Sequence, residues 1–319
     1  MNRYKVIVNP VAGRGRGERA VRQIKALLGA LGLTYDLVRS GHPWHAADLA
    51  QDAAAEGYGV VVAVGGDGTA NEVLNGLMRA RTPETGGPAM GILCVGRGND
   101  FAYGVGIPPD LEAGCRVLAE GSRRIIDVGR VTGGLYPDGR YFGNGVGIGF
   151  DAVVGFEAVK MKRLSGFPSY LVAVLKTVFL YYQAPLTAIA YDGETLTQRS
   201  LMVSVMNGQR LGGGFYTAPA GRPDDGLFDL CIAREVSRAR IFGLIPHFLR
   251  GTQGSQEPIQ TRQARHVVVE AVDGVLPAHA DGETLCTDGT RLEMELLTAQ
   301  LDVLSPEPGP EVIVEAGMA

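Results

Sequence analysis

Val60-Val61-Val62-Ala63-Val64-Gly65-Gly66-Asp67-Gly68-Thr69-Ala70-Asn71-Glu72-Val73-Leu74-Asn75-Gly76-Leu77 reads as a buried strand, a glycine-rich turn and a helix in one unbroken run. An uninterrupted apolar stretch suits a strand covered on both faces. Glycines in the turn admit positive φ and let a ligand approach the backbone, while the N–H groups at the helix start favour an anion. Asp67 sharpens the reading. A carboxylate inside a phosphate turn repels the ligand unless it holds or orients Mg²⁺, which points to a nucleoside triphosphate rather than a dinucleotide. An ordinary strand–helix turn shares the glycines, so the argument rests on Asp67 and the flanking periodicity.

Around this run, strands and helices alternate. Tyr4–Val8 is a strand, 18–31 a helix with Val21, Ile24, Leu27, Leu28 and Leu31 on one face, Thr34–Arg39 a strand, and 44–56 an alanine-rich helix. Met90–Val95 and a helix near 110–120 complete a doubly wound α/β nucleotide-binding domain over residues 1–125, with ligands expected at the carboxyl ends of its strands. From 126 to 299 the chain turns to short β-rich runs, at Ile125–Val131, Tyr141–Ile148, Leu186–Tyr191, Leu201–Met206, Phe228–Ala233, His266–Ala271 and Leu292–Leu297, with Leu301–Leu304 following. A second, antiparallel β-sandwich-like domain is the simplest account. The proline- and glutamate-rich stretch 306–319 reads as a flexible tail.

Composition narrows the function class. With 319 residues and 45% hydrophobic content the chain can bury two cores, and its net charge of −4 argues against general nucleic-acid binding. Cys94, Cys115, Cys231 and Cys286 are widely spaced, so reduced structural thiols are expected rather than a zinc site or disulfides. A strand beginning at Tyr4 leaves no room for a signal peptide, and no apolar stretch suits a membrane-spanning helix. The expectation is a cytoplasmic protein with at most peripheral membrane contact; a homodimer is allowed, and the oligomeric state stays open.

Two further turns end strands of the first domain: Asn9-Pro10-Val11-Ala12-Gly13-Arg14-Gly15 and Gly96-Arg97-Gly98-Asn99-Asp100-Phe101-Ala102. Turns at one sheet edge can bracket a polyphosphate, and the Walker and protein-kinase patterns are absent. At this point the chain resembles the diacylglycerol kinase catalytic-domain family of bacterial lipid kinases, relatives of sphingosine and ceramide kinases. The resemblance also takes in Ile126-Asp127-Val128-Gly129, Phe142-x-Asn144-x-x-Gly147-x-Gly149-Phe150-Asp151, Asn207-Gly208, Gly212-Gly213-Gly214, Asp224-Asp225-Gly226-Leu227-x-Asp229 and Asp281-Gly282-Glu283, in family order from residue 9 to about 305.

The resemblance implies a fold like that of NAD and diacylglycerol kinases, with the last strand near 300–305 returning to the first domain, and with ATP and Mg²⁺ as cofactors. It places nucleotide contacts on Asn9, Pro10, Val11, Ala12, Gly13, Ser40, Gly66, Asp67, Gly68, Thr69, Ala70, Asn71, Glu72 and Arg97. Arg97 stands where the family usually has threonine, so a hydroxyl contact is exchanged for a cation able to pair with phosphate or reshape the pocket. It also implies Glu283 as the base that activates a lipid hydroxyl, Asp281 beside it, and Asp67, Asp100 and Asp127 as candidates for holding or orienting the catalytic metal. A structural Mg²⁺ is implied at Asp225 with carbonyls of Arg222 and Leu227. Asp-Gly-Glu-Thr-Leu occurs twice, at 192–196 and 281–285, and spacing alone does not choose between them. Family order assigns catalysis to the second copy and leaves Asp192 and Glu194 as a turn.

The lipid acceptor brings expectations of its own. Between Glu157 and Asp192 there is no acidic residue, while Lys160, Lys162, Arg163 and Lys176 accompany Leu164, Phe167, Tyr170, Leu171, Val174, Leu175, Val178, Phe179 and Tyr182. That pattern suits an anionic membrane surface, and somewhat better an amphipathic helix from about Lys160 to Tyr182 covering the β domain. Trp44 with His42 and His45 reads as a helix-start environment, and Arg14, Arg16, Arg19 and Arg22 as a solvated helix face. The leading expectation is an ATP- and Mg²⁺-dependent lipid kinase acting on a diacylglycerol-like lipid. An NAD kinase-like enzyme and a non-catalytic nucleotide-binding regulator are the alternatives.

Overall fold

The computed structural model describes residues 3–82, 86–160 and 167–306. The first half of the chain runs β1 (Tyr4–Val8), α1 (Ala12–Ala30), β2 (Tyr35–Arg39), α2 (His45–Ala55), β3 (Val60–Gly65), α3 (Asp67–Ala80), β4 (Ala89–Cys94), a short α4 (Asp100–Gly104) and α5 (Leu111–Glu120). Next come β5 (Arg123–Gly133), β6 (Tyr136–Phe142), β7 (Gly145–Gly149), α6 (Phe150–Lys160), α7 (Phe167–Leu180), β8 (Leu186–Tyr191) and β9 (Glu194–Met206). The remainder is β10 (Arg210–Leu211), β11 (Phe215–Tyr216), β12 (Phe228–Arg234), α8 (Arg238–Arg250), β13 (Ile259–Ala264), β14 (His266–Ala271), β15 (Leu276–Ala280), β16 (Glu283–Gly289) and β17 (Arg291–Leu304).

Parallel pairing puts β1 between β2 and β3, with β4 outside β3. The chain therefore leaves β1 in one direction and resumes on its other side, so the crevice between the ends of β1 and β3 is a topological switch point. Alternation along β3 divides its side chains between two cores. Val60, Val62 and Val64 pack with Val21, Ile24 and Leu28 of α1 and Leu118 of α5, whereas Val61 and Ala63 face Ala46, Ala50, Val73 and Leu77 of α2 and α3. Gly76 allows those two helices to touch, because a Cβ there would sit 2.1 Å from the Ala47 carbonyl oxygen.

The second half is a β-sandwich joined to the first sheet through β17. That strand pairs antiparallel with β5 and β14, and parallel with β4 at Val303 and Met90. The runs read as Leu292–Leu297 and Leu301–Leu304 are thus one strand, interrupted by an irregularity where Ala299 takes φ 53°. The run read as Tyr141–Ile148 is two strands, because Gly143 and Asn144 turn the chain between β6 and β7. Leu230 and Ile232 of β12 face the sandwich core; Cys231 and Ala233 face a separate core formed with α6, α7 and α8. The segment read as helical from Lys160 onward begins earlier, at Phe150. Lys162, Arg163 and Leu164 lie outside the described residues, as does the tail beyond Pro306. All four cysteines are free and buried, and among the described residues no helix is long and apolar enough to cross a membrane.

Candidate active site

The three glycine turns meet at the switch point. A Cβ on Gly13 would lie 2.1 Å from the Val95 carbonyl oxygen, and one on Gly96 would lie 2.3 Å from Gly66 Cα, so the backbones touch where only glycine fits. Asn9 ties the first two turns together, since its Nδ2 donates to Thr69 Oγ1 at 3.0 Å while its Oδ1 accepts from Val11 N at 3.1 Å. Asp67, Gly68 and Thr69 form the first turn of α3 rather than a separate loop. Gly66 caps that turn with no side chain, which leaves the N–H groups at its positive end for an anion. Ser40, 8% exposed, begins the loop after β2 beside β1, its N–H donating to Val8 O at 2.9 Å. Val11 and Arg97 are exposed at the crevice rim.

The aspartates occupy distinct environments. Asp67 accepts from Asn99 N at 2.7 Å and Phe101 N at 3.1 Å; burial raises its pKa, opposed by the Phe101 N–H and reinforced by the Asp281 charge. Asp100 accepts from Arg210 Nε at 3.0 Å and Gly213 N at 2.9 Å, and burial together with the Asp67 charge pushes it up to about 7. A Cβ on Gly98 would lie 2.9 Å from Asp67 Oδ2 and 3.4 Å from Asp100 Oδ2, so both carboxylates border one small space. The buried Asn99 Oδ1 nearby has no hydrogen-bond partner. Oxygen-only donors, two of them carboxylates whose pKa values burial raises, fit Mg²⁺.

Glu283 reaches this site from the β15–β16 hairpin. A Cβ on Gly68 would fall 2.5 Å from Glu283 Oε1, which puts the carboxylate directly over the first turn of α3. Although much of the residue is exposed, desolvation raises its pKa, with Arg140 opposing and Glu72 adding to the rise. Its neighbour Asp281 is differently placed. At φ 48° it accepts from Asn71 Nδ2 (2.9 Å) and from the backbone N–H groups of Gly143 (2.8 Å), Asn144 (3.0 Å) and Gly145 (2.9 Å). Asp281 therefore anchors the hairpin, and its carboxylate is turned to these donors.

Several other expected site residues serve the framework through their side chains. Asn71 is 1% exposed, its Oδ1 accepting from Arg140 at 2.6 Å and 3.1 Å and its Nδ2 donating to Tyr141 O and Asp281. That side chain joins the helix after the phosphate turn to β6 and the β15–β16 hairpin. Glu72 Oε2 accepts from Ala46 N at 3.1 Å, at the start of α2. Asp127, expected near the metal, accepts from Gly226 N at 2.8 Å and Ala299 N at 2.7 Å, clamping the 224–226 loop onto the irregularity in β17. In that loop Asp225 accepts from Leu227 N at 3.1 Å, while Asp224 pairs with Arg124 at 2.8 Å and Arg222 at 3.7 Å. Among the described residues, no group of three or more His, Cys, Asp or Glu is placed to hold a metal.

Arg140, Arg210 and His279 had no role in the sequence reading, and Asp151 entered it only as the end of a motif, without one. Arg140, 2% exposed, also donates to Tyr136 Oη at 2.6 Å and lies 4.6 Å from the Trp44 ring centre. Asp151 borders a cleft with about 560 Å³ of unfilled space, part of it open solvent, walled by apolar residues of α6, α7, α8, β9 and β12. Its Oδ2 is 3.8 Å from His279 Nε2, and His279 Nδ1 accepts from Gly282 N at 3.3 Å. The polar end of an apolar cleft thus adjoins the turn that carries Glu283. The Phe-Asp step at 150–151, opening a helix after a glycine-rich strand, was the available signal, and only the fold shows that it borders a cleft.

Residues 3–131 match the family model described as the diacylglycerol kinase catalytic domain, and 144–305 match the YegS C-terminal NAD kinase beta sandwich-like domain. The "Probable lipid kinase YegS-like" of Chromohalobacter salexigens is 33% identical over 270 residues, covering 83% of this chain and 82% of that one. A diacylglycerol kinase structure from Bacillus anthracis superposes with a TM-score of 0.72 at 21% identity, over 96% of this chain and 97% of that one. An NAD kinase from Archaeoglobus fulgidus in complex with ATP shares the fold, with a TM-score of 0.51 at 17% identity over 96% and 94% of the respective chains. The chain belongs to the diacylglycerol kinase catalytic-domain family of lipid kinases, which are phosphotransferases.

Proposed function

We propose that the chain transfers the γ-phosphate of ATP to a hydroxyl of a diacylglycerol-like lipid, with Mg²⁺ as its metal. The observation that carries this is the Glu283 carboxylate lying over Gly68, since it brings a base from the sandwich onto the phosphate turn. The first turn of α3, with the Asn9–Gly13 and Gly96–Gly98 backbones beside it, receives the phosphates. Asp67 and Asp100 would hold Mg²⁺, which supplies charge neutralisation on the transferring phosphoryl group. Glu283 takes the proton of the acceptor hydroxyl, and its raised pKa suits a base that is half-ionised nearer neutrality. The acyl chains lie in the apolar cleft and Asp151 meets the polar end of the acceptor.

The test is incubation with γ-labelled ATP and Mg²⁺ against dispersed diacylglycerol, total lipid extract and NAD in parallel, with product identification. A labelled phosphatidic acid or related lipid phosphate supports the reading. Label on NAD alone, or nucleotide binding with no labelled product, rejects it.

A further inference from the structure

The cleft between α6, α7 and α8 is apolar except at two side chains. Among the described residues that line it, only Asp151 and Thr217 carry a polar side chain, set against Phe150, Phe215, Leu244 and Phe248 and their aliphatic neighbours. Asp151 lies in the first turn of α6. Thr217 follows β11, where alternation sets its direction: Phe215 and Thr217 line the cleft, while Tyr216 between them turns away, its Oη 3.0 Å from Tyr103 Oη. The backbone here is pinned. Gln253 Nε2 donates to Thr217 O at 3.0 Å and Ala218 N donates to Gln209 O at 3.0 Å, which fixes the residue at the cleft wall.

These bonds leave the Thr217 hydroxyl over. The residue is 3% exposed, and its Oγ1 has no hydrogen-bond partner among the described residues. A hydroxyl buried among apolar groups without a partner destabilises a fold, so packing alone would be served better by valine, which has nearly the same shape.

We infer that Thr217 is a specificity-determining residue, its hydroxyl donating to the carbonyl oxygen of an acyl ester in the acceptor where the chains enter the cleft. The class of acceptor rests on the lipid kinase reading above. A diacylglycerol has one donor, the hydroxyl that reacts, and its remaining oxygens only accept. A carboxylate accepts as well. Of the two polar side chains in the cleft, Thr217 is therefore the one able to donate to an ester, and its hydroxyl gains in the complex the partner that the free protein does not give it.

Dihexanoylglycerol and its diether counterpart, dihexylglycerol, differ in the carbonyl oxygens and allow comparison in solution. Binding of each to the full chain, to Thr217→Val and to Thr217→Ser is measured by calorimetry, with Tm and phosphorylation followed in parallel. The parent is expected to bind the diester about three- to tenfold more tightly than the diether. Thr217→Val should lose that preference through weaker binding of the diester, and Thr217→Ser, which keeps the hydroxyl, should keep it. Tm of Thr217→Val should equal or exceed that of the parent, because the variant removes an unsatisfied buried hydroxyl. A lower Tm would show that the hydroxyl serves the fold, and overturns the inference. So does a parent with no preference for the diester, or a preference that Thr217→Val retains. Phosphorylation separates the two readings. An ester preference abolished by Thr217→Val, with neither lipid phosphorylated, counts against the kinase reading and leaves the Thr217 contact standing; phosphorylation of both lipids with the preference unmoved by Thr217→Val does the reverse.

Discussion

Asn71 Nδ2 donates to Asp281 Oδ2 at 2.9 Å across 210 positions of sequence, joining the helix after the phosphate turn to the hairpin that carries Glu283. The donor and acceptor halves of the site are therefore held in register by a buried polar contact, and Arg140 and the Gly143–Gly145 backbone complete its hydrogen bonding. Removing one member of such a network leaves the rest buried and unpaired.

Asp281→Ala should accordingly act on stability. It strands three backbone N–H groups and the Asn71 amide, at a cost on the order of 3–5 kcal/mol. Urea unfolding should show a lower midpoint. An unchanged midpoint with lost turnover would instead return Asp281 to the chemistry.

Glu283→Gln should do the opposite, keeping Tm near that of the parent while kcat falls by roughly 10²–10⁴, as for loss of a general base. Gly68→Ala gives an independent check. Gly68 has no positive φ and tolerates alanine in the helix, yet its new methyl would displace the Glu283 carboxylate. Lower kcat at unchanged Tm is expected. Glu194→Ala, in the twin motif, should leave kcat unchanged.

That twin motif shows what sequence could and could not disclose. Asp192 and Asp281 share nearly the same backbone, with φ 43° and 48° followed by glycines at 92° and 83°, so both copies form the same turn. Asp192 accepts from the Arg265 and His266 N–H groups at an exposed hairpin end, whereas Asp281 is buried against Asn71. Local chemistry is identical and tertiary placement decides the role. The first sheet was legible because β1, β3 and β4 are continuous apolar runs and their helices keep a clear period. α8 and the β15–β16 hairpin were not, because Pro246 and the Asp-Gly turn interrupt those patterns. The roles of Asn71 and Asp127 depend on partners about a hundred or more positions away, at Asp281, Gly226 and Ala299, which no local window contains.

Asp100 sets a pH dependence of stability. Its folded pKa is raised to about 7, above the ordinary carboxylate value, so the folded state holds its proton after the unfolded chain has released it. Stability should be greatest below about pH 4 as far as this group is concerned, fall as pH rises toward about 7, and level off beyond, by a few kcal/mol in total. Asp100→Asn should flatten that slope in denaturant titrations. A slope unchanged by Asp100→Asn would assign it to another group.

Arg140 lowers the pKa of Glu283 by its charge, against the upward effect of burial. Arg140→Met removes the charge, so the Glu283 pKa should rise and the acidic limb of the pH profile of kcat/KM should move to higher pH. The variant also leaves Asn71 Oδ1 without its guanidinium partner, so a loss of roughly 2–3 kcal/mol of stability should accompany the shift. A destabilised variant with an unmoved acidic limb would confine Arg140 to the framework.

The cleft between α6, α7 and α8 makes acyl length the sensitive variable. Ile245 lines it from α8, and Ile245→Trp would fill part of the space that the acceptor chains need. KM for a long-chain diacylglycerol should rise about tenfold or more, since each methylene denied burial forfeits roughly 0.8 kcal/mol. A short-chain acceptor should change little, and ATP binding, located at the far strand ends, should not change. An equal rise in KM for both chain lengths would move the acyl site out of this cleft and leave Asp151 and His279 as structural neighbours of the Glu283 turn.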